Sequence, residues 1–420
     1  MTTDVNPQNN SAVASSAESK RTGNPVFNNG PLSVLVITLL VQALVTAAVL
    51  APAVIAPAIA RSLGLPASSL GIFISVVYIS AICATLYSGT LIGKWGAIRT
   101  SQIGLLMGAS GLALVATGYV WPGLIGAALI GFGYGPITPA SSHILIRTTP
   151  PHRLSTVFSI KQTGVPLGGV IVGLTVPPQE AAFGWAWAIC SISVGCVVMA
   201  VIAQCLRAEL DQDRPAFSRQ SFIASIVSPV RLVMSHRSLL TLAGCSFVFA
   251  GVQQSLSSYL STYLNLDLGW TLLAAGFALS VVQIAGMTGR ILWGRVADGG
   301  LGVRKTLILL AVIMLAGCIA TAMFSNDTNH FWVYAVLILF GASGAGWNGV
   351  YLAEVARLAP QGKVGLATGG TLAFTYFGIV FWMPLFGLIA DATGGYRMSY
   401  MLFCVPLLVC LGFFFRKGDQ

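Results

Sequence analysis

From residue 34 onward the chain alternates long apolar runs with short polar interruptions, and the length of the runs decides what they are. Val36–Ala60 contains no charged residue. About 20 apolar residues in a helix cross a hydrocarbon layer about 30 Å thick. A barrel strand needs about ten residues that alternate in polarity, and these runs are longer and do not alternate. The pattern predicts twelve transmembrane helices, over 34–60, 68–92, 100–119, 123–147, 154–176, 183–206, 240–264, 271–294, 304–324, 331–357, 365–390 and 397–415. The fold class expected is all-α and integral to a membrane.

The interruptions divide the chain. Residues 1–30, rich in Asn, Ser and Ala, show no apolar period and are expected to form a disordered cytoplasmic tail. They lack the basic start, short apolar run and cleavage site of a signal peptide. Residues 31–206 and 238–415 are expected to be six-helix bundles. The polar run 207–237, containing RAELDQDRPAFSRQ, reads as a cytoplasmic linker, and 416–420 as a short tail. The halves repeat. Gly89–Arg99 aligns with Gly294–Arg304 at a shift of 205, and Arg147–Pro150 with Arg357–Pro360 at 210. At that second shift Gly131 meets Gly341 and Gly135 meets Ala345. Six spans per half and a shift near half the length predict two bundles related by a pseudo-two-fold axis, with a binding site between them near mid-membrane.

Composition agrees. Of 420 residues 55% are apolar and 8% charged, against about 25% charged in soluble chains; mean hydropathy is +0.82. The net charge of +10 does not indicate a nucleic-acid partner, because it is topogenic. With both termini inside, Arg61 and Arg397 are the only Lys or Arg residues expected on the outer side, and Lys161 and Arg290 fall within spans. Basic loops stay cytoplasmic, so a multi-pass protein of the cytoplasmic (inner) membrane is expected, with both ends inside. The eight cysteines all fall in spans with no ligand spacing such as C-x-x-C, so neither a metal nor a disulfide framework is inferred. No cofactor is implied.

Charge inside the bilayer costs roughly 2.5–3.5 kcal/mol on insertion scales and marks candidate chemistry. In FSIKQTGVPLGG (158–169) Lys161 lies eight residues beyond Arg153, about 12 Å along a helix. It either snorkels to the interface or faces a cavity beside Gln162, where Pro166 frees a backbone carbonyl. Arg290 either caps the end of span eight near Asp298 or binds a carboxylate through its two-pronged guanidinium. Glu354 shares a helix face with Trp347 and Tyr351. It is either an ion-pair partner of Arg357 or a protonatable coupling group. His143 either packs by hydrogen bonding or carries a proton. Gln253, Gln254, Gln283 and Asn348 are uncharged candidates for orienting a ligand, and Tyr78 and Tyr259 for an aromatic wall.

GRVADGGLGVRK (294–305) resembles the loop signature of the major facilitator superfamily, and GLIADATGGYR (387–397) resembles another of its patterns. The resemblance covers the whole span arrangement. It implies gating roles for Gly89, Gly294, Asp298 and Arg304, although the N-half copy has Gly93 and Lys94 where the acid and its neighbour belong. GMTGRILWG around Arg290 resembles monocarboxylate porters, which implies that Arg290 holds a substrate carboxylate. The porters' acid four residues earlier is Gly286 here. GVPLGG is one residue short of the exporters' span-five signature.

The expectation is a secondary active transporter, monomeric, moving a small organic anion by alternating access with protons as coupling ion. Lys161 and Arg290 bind the anion, Gln162, Gln253, Gln283, Trp347, Asn348, Tyr351 and Tyr78 shape the pocket, and Glu354 or His143 carries the proton. The alternative is a proton-driven exporter of hydrophobic or drug-like compounds, which calls for acids in the cavity. A membrane enzyme is disfavoured: no H-E-x-x-H, G-x-S-x-G or phosphate loop is present. A sensor that binds without moving solute would share the same sequence features.

Overall fold

A computed structural model of the chain describes residues 30–149, 154–212, 222–360 and 363–416. The expected N-terminal tail up to residue 29, residues 213–221 of the expected linker and residues 417–420 of the C-terminal tail lie outside the described residues. So do Lys20, Arg21, Arg153, Arg214, Arg219 and Lys417 of the expected basic set.

The first half comprises α1 (Pro31–Val54) and α2 (Ala56–Leu63), α3 (Leu70–Trp95), α4 (Ala97–Ala116), α5 (Val120–Tyr134) and α6 (Ile137–Thr148), α7 (Leu154–Gln162) and α8 (Gly164–Phe183), then α9 (Trp185–Ile202) and α10 (Gln204–Leu210). After α11 (Phe222–Ser235) the second half comprises α12 (Arg237–Ser258) and α13 (Leu260–Leu266), α14 (Leu272–Val296) and α15 (Val303–Ala322). It continues with α16 (His330–Gly344) and α17 (Trp347–Leu358), α18 (Val364–Thr393), α19 (Arg397–Met401) and α20 (Cys404–Arg416). These make twelve crossings, six per half. Among the described residues eleven helices are long and apolar enough to span a bilayer. The remaining crossing ends in α8, 20 residues long, whose last turns carry Pro177, Pro178 and Glu180.

Several crossings that read as unbroken runs are interrupted. α5 breaks from α6 at Gly135–Pro136, and α16 from α17 at Ala345–Gly346. Those two positions coincide at the repeat shift of 210, so the duplication extends to the kinks. The 207–237 segment contains a helix of its own. That helix, α11, packs on α18, α12 and α3.

Within each half the helices pack on one another, and the halves meet along α8 against α14 and α3 against α18. Glycine makes the first of these seams close. A Cβ on Gly173 would stand 2.5 Å from the carbonyl oxygen of Gly276, and one on Gly276 would stand 2.6 Å from that of Gly173. Only bare backbone fits. Gly164 and Gly168 on the same helix fit against the α1 carbonyls of Leu39 and Ala43.

The halves are tied at the face away from the chain ends. Ser75 Oγ donates to the Val380 carbonyl at 3.0 Å, Ser68 Oγ donates to the Asp391 carboxylate, and Tyr259 OH reaches the Ser68 carbonyl at 3.3 Å. At the opposite face each half pins its third crossing to the end of its sixth. Asp211 accepts from the backbone N–H of Ile98 (2.8 Å) and Arg99 (3.0 Å) at the start of α4. Arg304, at the start of α15, donates to the Phe414 carbonyl.

Candidate functional site

Between the halves lies a cavity of about 290 Å³. Its first-half wall includes Thr46, Tyr78, Tyr134, Thr138, Gln162 and Pro166, and its second-half wall Gln253, Gln254, Gln283, Arg290, Asn348 and Tyr376. Ser142, Phe158, Leu352 and Thr368 extend it toward the face where the chain enters α1 and leaves α20. The cavity therefore opens toward the chain ends, while the contacts at Ser68, Ser75 and Tyr259 close it on the other side.

Arg290 is the only charged side chain among the described lining residues. Its Nε donates to the Ala345 carbonyl at 2.9 Å and Nη1 to the Gln162 carbonyl at 2.6 Å. Both acceptors exist because helices are interrupted. Ala345 sits in the α16–α17 break. Pro166 has no N–H to give Gln162, its partner four residues back. A guanidinium has five N–H donors, so these two bonds orient it and leave three for a ligand.

Lys161 is buried, with 1% of its surface exposed, and does not reach the lining. Its Nζ donates to Gln42 Oε1 at 3.0 Å and lies 3.5 Å from Thr138 Oγ1. Thr138 also donates to Gln42 Oε1 at 3.1 Å, and it is the residue that stands between the ammonium and the cavity. The ion pairs Arg207–Asp211 and Arg357–Glu354 lie elsewhere, and no carboxylate among the described residues pairs with Lys161.

The amides are ordered by tryptophan. An indole N–H can only donate, so Gln253 turns its oxygen to Trp347 Nε1 at 2.9 Å; Asn348 Nδ2 donates to that same oxygen at 2.9 Å. Gln254 accepts from Tyr78 OH at 3.0 Å and donates to Ser258 Oγ at 2.8 Å. Gln283 Nε2 lies 3.4 Å from Ser257 Oγ. Tyr78 packs edge-on against Tyr134 (6.0 Å between centroids) and tilted against Tyr376 (5.6 Å).

Several expected site residues stand elsewhere. Trp347 and Tyr351 do not line the cavity: they pack T-shaped at 5.1 Å in the second-half core, because the neighbouring face, Asn348 and Leu352, is the one turned outward. Glu354 is bound by Arg357 Nε (2.8 Å) and Nη2 (2.5 Å). It borders a small separate cavity beside Arg304 and Phe414. His143 is partly buried on α6 outside the lining, and Tyr259 belongs to the closed face. Asp298 is exposed in the turn before α15, and Gly89 and Gly294 lie where an added Cβ would meet nothing. Gly286 is filled rather than vacant, since a side chain there would strike Ala345 Cβ at 2.6 Å. An acid at the porters' position has no room.

The sequence profile of the Major Facilitator Superfamily matches residues 35–370. The chain belongs to that superfamily. It is 24% identical over 363 residues to the hexuronate transporter of Bacillus subtilis (strain 168), covering 81% of this chain and 83% of the relative. It is 25% identical over 136 residues to monocarboxylate transporter 13 of Rattus norvegicus, covering 32% of this chain and 31% of that one. The crystal structure of nucleoside transporter NupG superposes with a TM-score of 0.77 at 14% identity, covering 93% of this chain and 100% of that one; this likeness shows the fold. The protein is thus a transporter rather than an enzyme, built as two six-helix bundles.

Gln42, Thr138, Tyr134 and Tyr376 were not anticipated as site residues. Gln42 had a signal, as the single amide in the charge-free run 36–60. The two tyrosines had none, because lining depends on which face turns to the other half.

Proposed function

We propose that this superfamily member moves a small organic anion bearing a carboxylate, by alternating access, as a monomer in the cytoplasmic membrane with both termini inside. The observation that carries the reading is the lone Arg290 in a cavity whose described lining holds no acid. A cation in a low-dielectric site without a counter-charge is stabilised by a bound anion, and its two-pronged donors match a carboxylate. Lys161, one threonine behind the wall, adds positive potential. Similarity to a hexuronate transporter supports the substrate class, and a cation exporter would need acids that this lining lacks.

In this reading residues 31–206 and 238–415 rock against each other along the α8–α14 and α3–α18 seams, with 207–237 joining them. Gly89, Gly294, Asp298 and Arg304 accompany the opening on the side of the chain ends. Protons are the coupling ion, carried by His143 or by Glu354, both on the side toward which the cavity opens. Uptake of labelled carboxylates into proteoliposomes, with and without an inward proton gradient, tests this. Carboxylate uptake that is lost in Arg290→Gln supports it. Uptake unchanged by that substitution, or transport restricted to cations, removes it.

A further inference from the structure

Resting on the carboxylate reading, we propose that the cavity selects a hydroxylated monocarboxylate: one carboxylate at Arg290, with ligand hydroxyls held by Gln253, Asn348 and Gln283. The charge is limited first. Arg290 is the one cation in the described lining, and two of its five N–H groups are already bound to Ala345 and Gln162. The Lys161 ammonium is engaged by Gln42 and Thr138 behind the wall. A second carboxylate on the ligand would enter the cavity without a partner, which a desolvated site disfavours strongly.

The hydroxyls follow from the amides. Trp347 is a donor only, so it fixes the Gln253 oxygen toward itself and turns the Gln253 NH₂ to the other side. Asn348 must present its NH₂ to that same oxygen, which turns Asn348 Oδ1 away from Gln253. Gln283 directs Nε2 to Ser257, which leaves Oε1 as its other polar atom. All three line the cavity. The set therefore offers free N–H donors on all three amides and two acceptor oxygens, Asn348 Oδ1 and Gln283 Oε1, besides the guanidinium. A carboxylate only accepts, and an alkyl or aryl acid gives the two oxygens nothing, which leaves buried acceptors unsatisfied. A hydroxyl both donates and accepts. Gln283 and Arg290 are seven residues apart on α14, so they share a face about 10 Å apart along the axis. That spacing puts a hydroxyl at the end of the ligand far from its carboxylate. The tyrosine faces at Tyr78, Tyr134 and Tyr376 accept either the C–H face of a sugar acid or an aromatic ring, so the shared chemistry is one carboxylate plus hydroxyls.

Thermal shifts of the purified full chain against D-glucuronate, 2,5-dihydroxybenzoate, cyclohexanecarboxylate, benzoate, D-glucarate and D-glucose test this. D-glucuronate or 2,5-dihydroxybenzoate, or both, should bind at least tenfold tighter than the unhydroxylated acids, and D-glucarate and D-glucose should bind weakly. Which of the first two wins assigns the sugar-acid or the hydroxybenzoate source. Asn348→Leu and Gln283→Met should each lower hydroxy-acid affinity toward that of cyclohexanecarboxylate or benzoate. Equal binding of hydroxylated and plain acids, or tightest binding of D-glucarate, overturns the proposal while the carboxylate transporter stands. Binding of no anion overturns both.

Discussion

Nη1 of Arg290 lies 2.6 Å from the backbone carbonyl of Gln162, so the cavity's one guanidinium is bound to the other half of the molecule through a carbonyl that Pro166 leaves without its helical donor. The proline and the arginine form one device, split across the duplication. Pro166→Ala restores an N–H that can close on Gln162, and Arg290 then loses its cross-half anchor. A hydrogen bond to a charged group contributes about 1.5 kcal/mol, roughly tenfold in affinity. The variant should fold normally and show about tenfold weaker carboxylate binding in titration calorimetry. Unchanged affinity would mean that the anchor does not position the guanidinium.

Lys161 predicts an uncommon separation of stability from transport. Its ammonium is 1% exposed and bonded to neutral oxygens. Lys161→Met keeps the length of the side chain and removes the desolvated charge, a burden of roughly 2.5–3.5 kcal/mol on insertion scales. The melting temperature in detergent should hold or rise, while carboxylate uptake falls at least tenfold through loss of positive potential behind Thr138. A lower melting temperature with intact uptake would make Lys161 a structural residue.

These two sites show how much the sequence discloses. Span count, the two-fold repeat and Arg290 were legible because bilayer thickness and the cost of a buried charge act on the local sequence. The breaks at Gly135 and Ala345 were half legible: both small residues were visible, but a kink in an apolar run leaves its hydropathy unchanged. The position of Trp347 and Tyr351 was not legible. A helix inside a bundle is apolar on most faces, and only its neighbours decide whether Asn348 or Trp347 looks into the cavity. Glu354 was legible only as two alternatives for a related reason, because its three-residue spacing from Arg357 fits an ion pair and a coupling site equally well.

Asp267, in the turn after α13 outside the spans, accepts from the backbone N–H of Tyr396 at 2.6 Å. Burial raises its carboxyl above its ordinary value, although the Tyr396 bond and nearby Arg397 pull it down. A folded-state pKa above the unfolded one means that the ionised group costs stability at neutral pH, and the cost disappears as pH falls below the unfolded value. Asp267→Asn should therefore melt higher than the parent at pH 7, with the difference closing near pH 4. A variant that melts lower at pH 7 would show that the bond to Tyr396 outweighs burial.

The closed face offers the sharpest test of alternating access. Ser68 Oγ donates to the Asp391 carboxylate across the halves, seven residues before Ser75, which bonds the Val380 carbonyl, and beside Tyr259 on the Ser68 carbonyl. A charge-assisted bond of this kind contributes about 1.5–3 kcal/mol. Asp391→Ala removes it only when that face is shut, so it shifts the population toward the state open on that face by roughly tenfold or more. Hydrogen exchange should accelerate in Leu65–Ser75 and Pro384–Tyr396. It should slow around Ser142 and Leu352, where the cavity now opens. A uniform acceleration in all four segments would indicate general destabilisation, and no change in any of them would show that the seam is held by the Gly173–Gly276 contact instead.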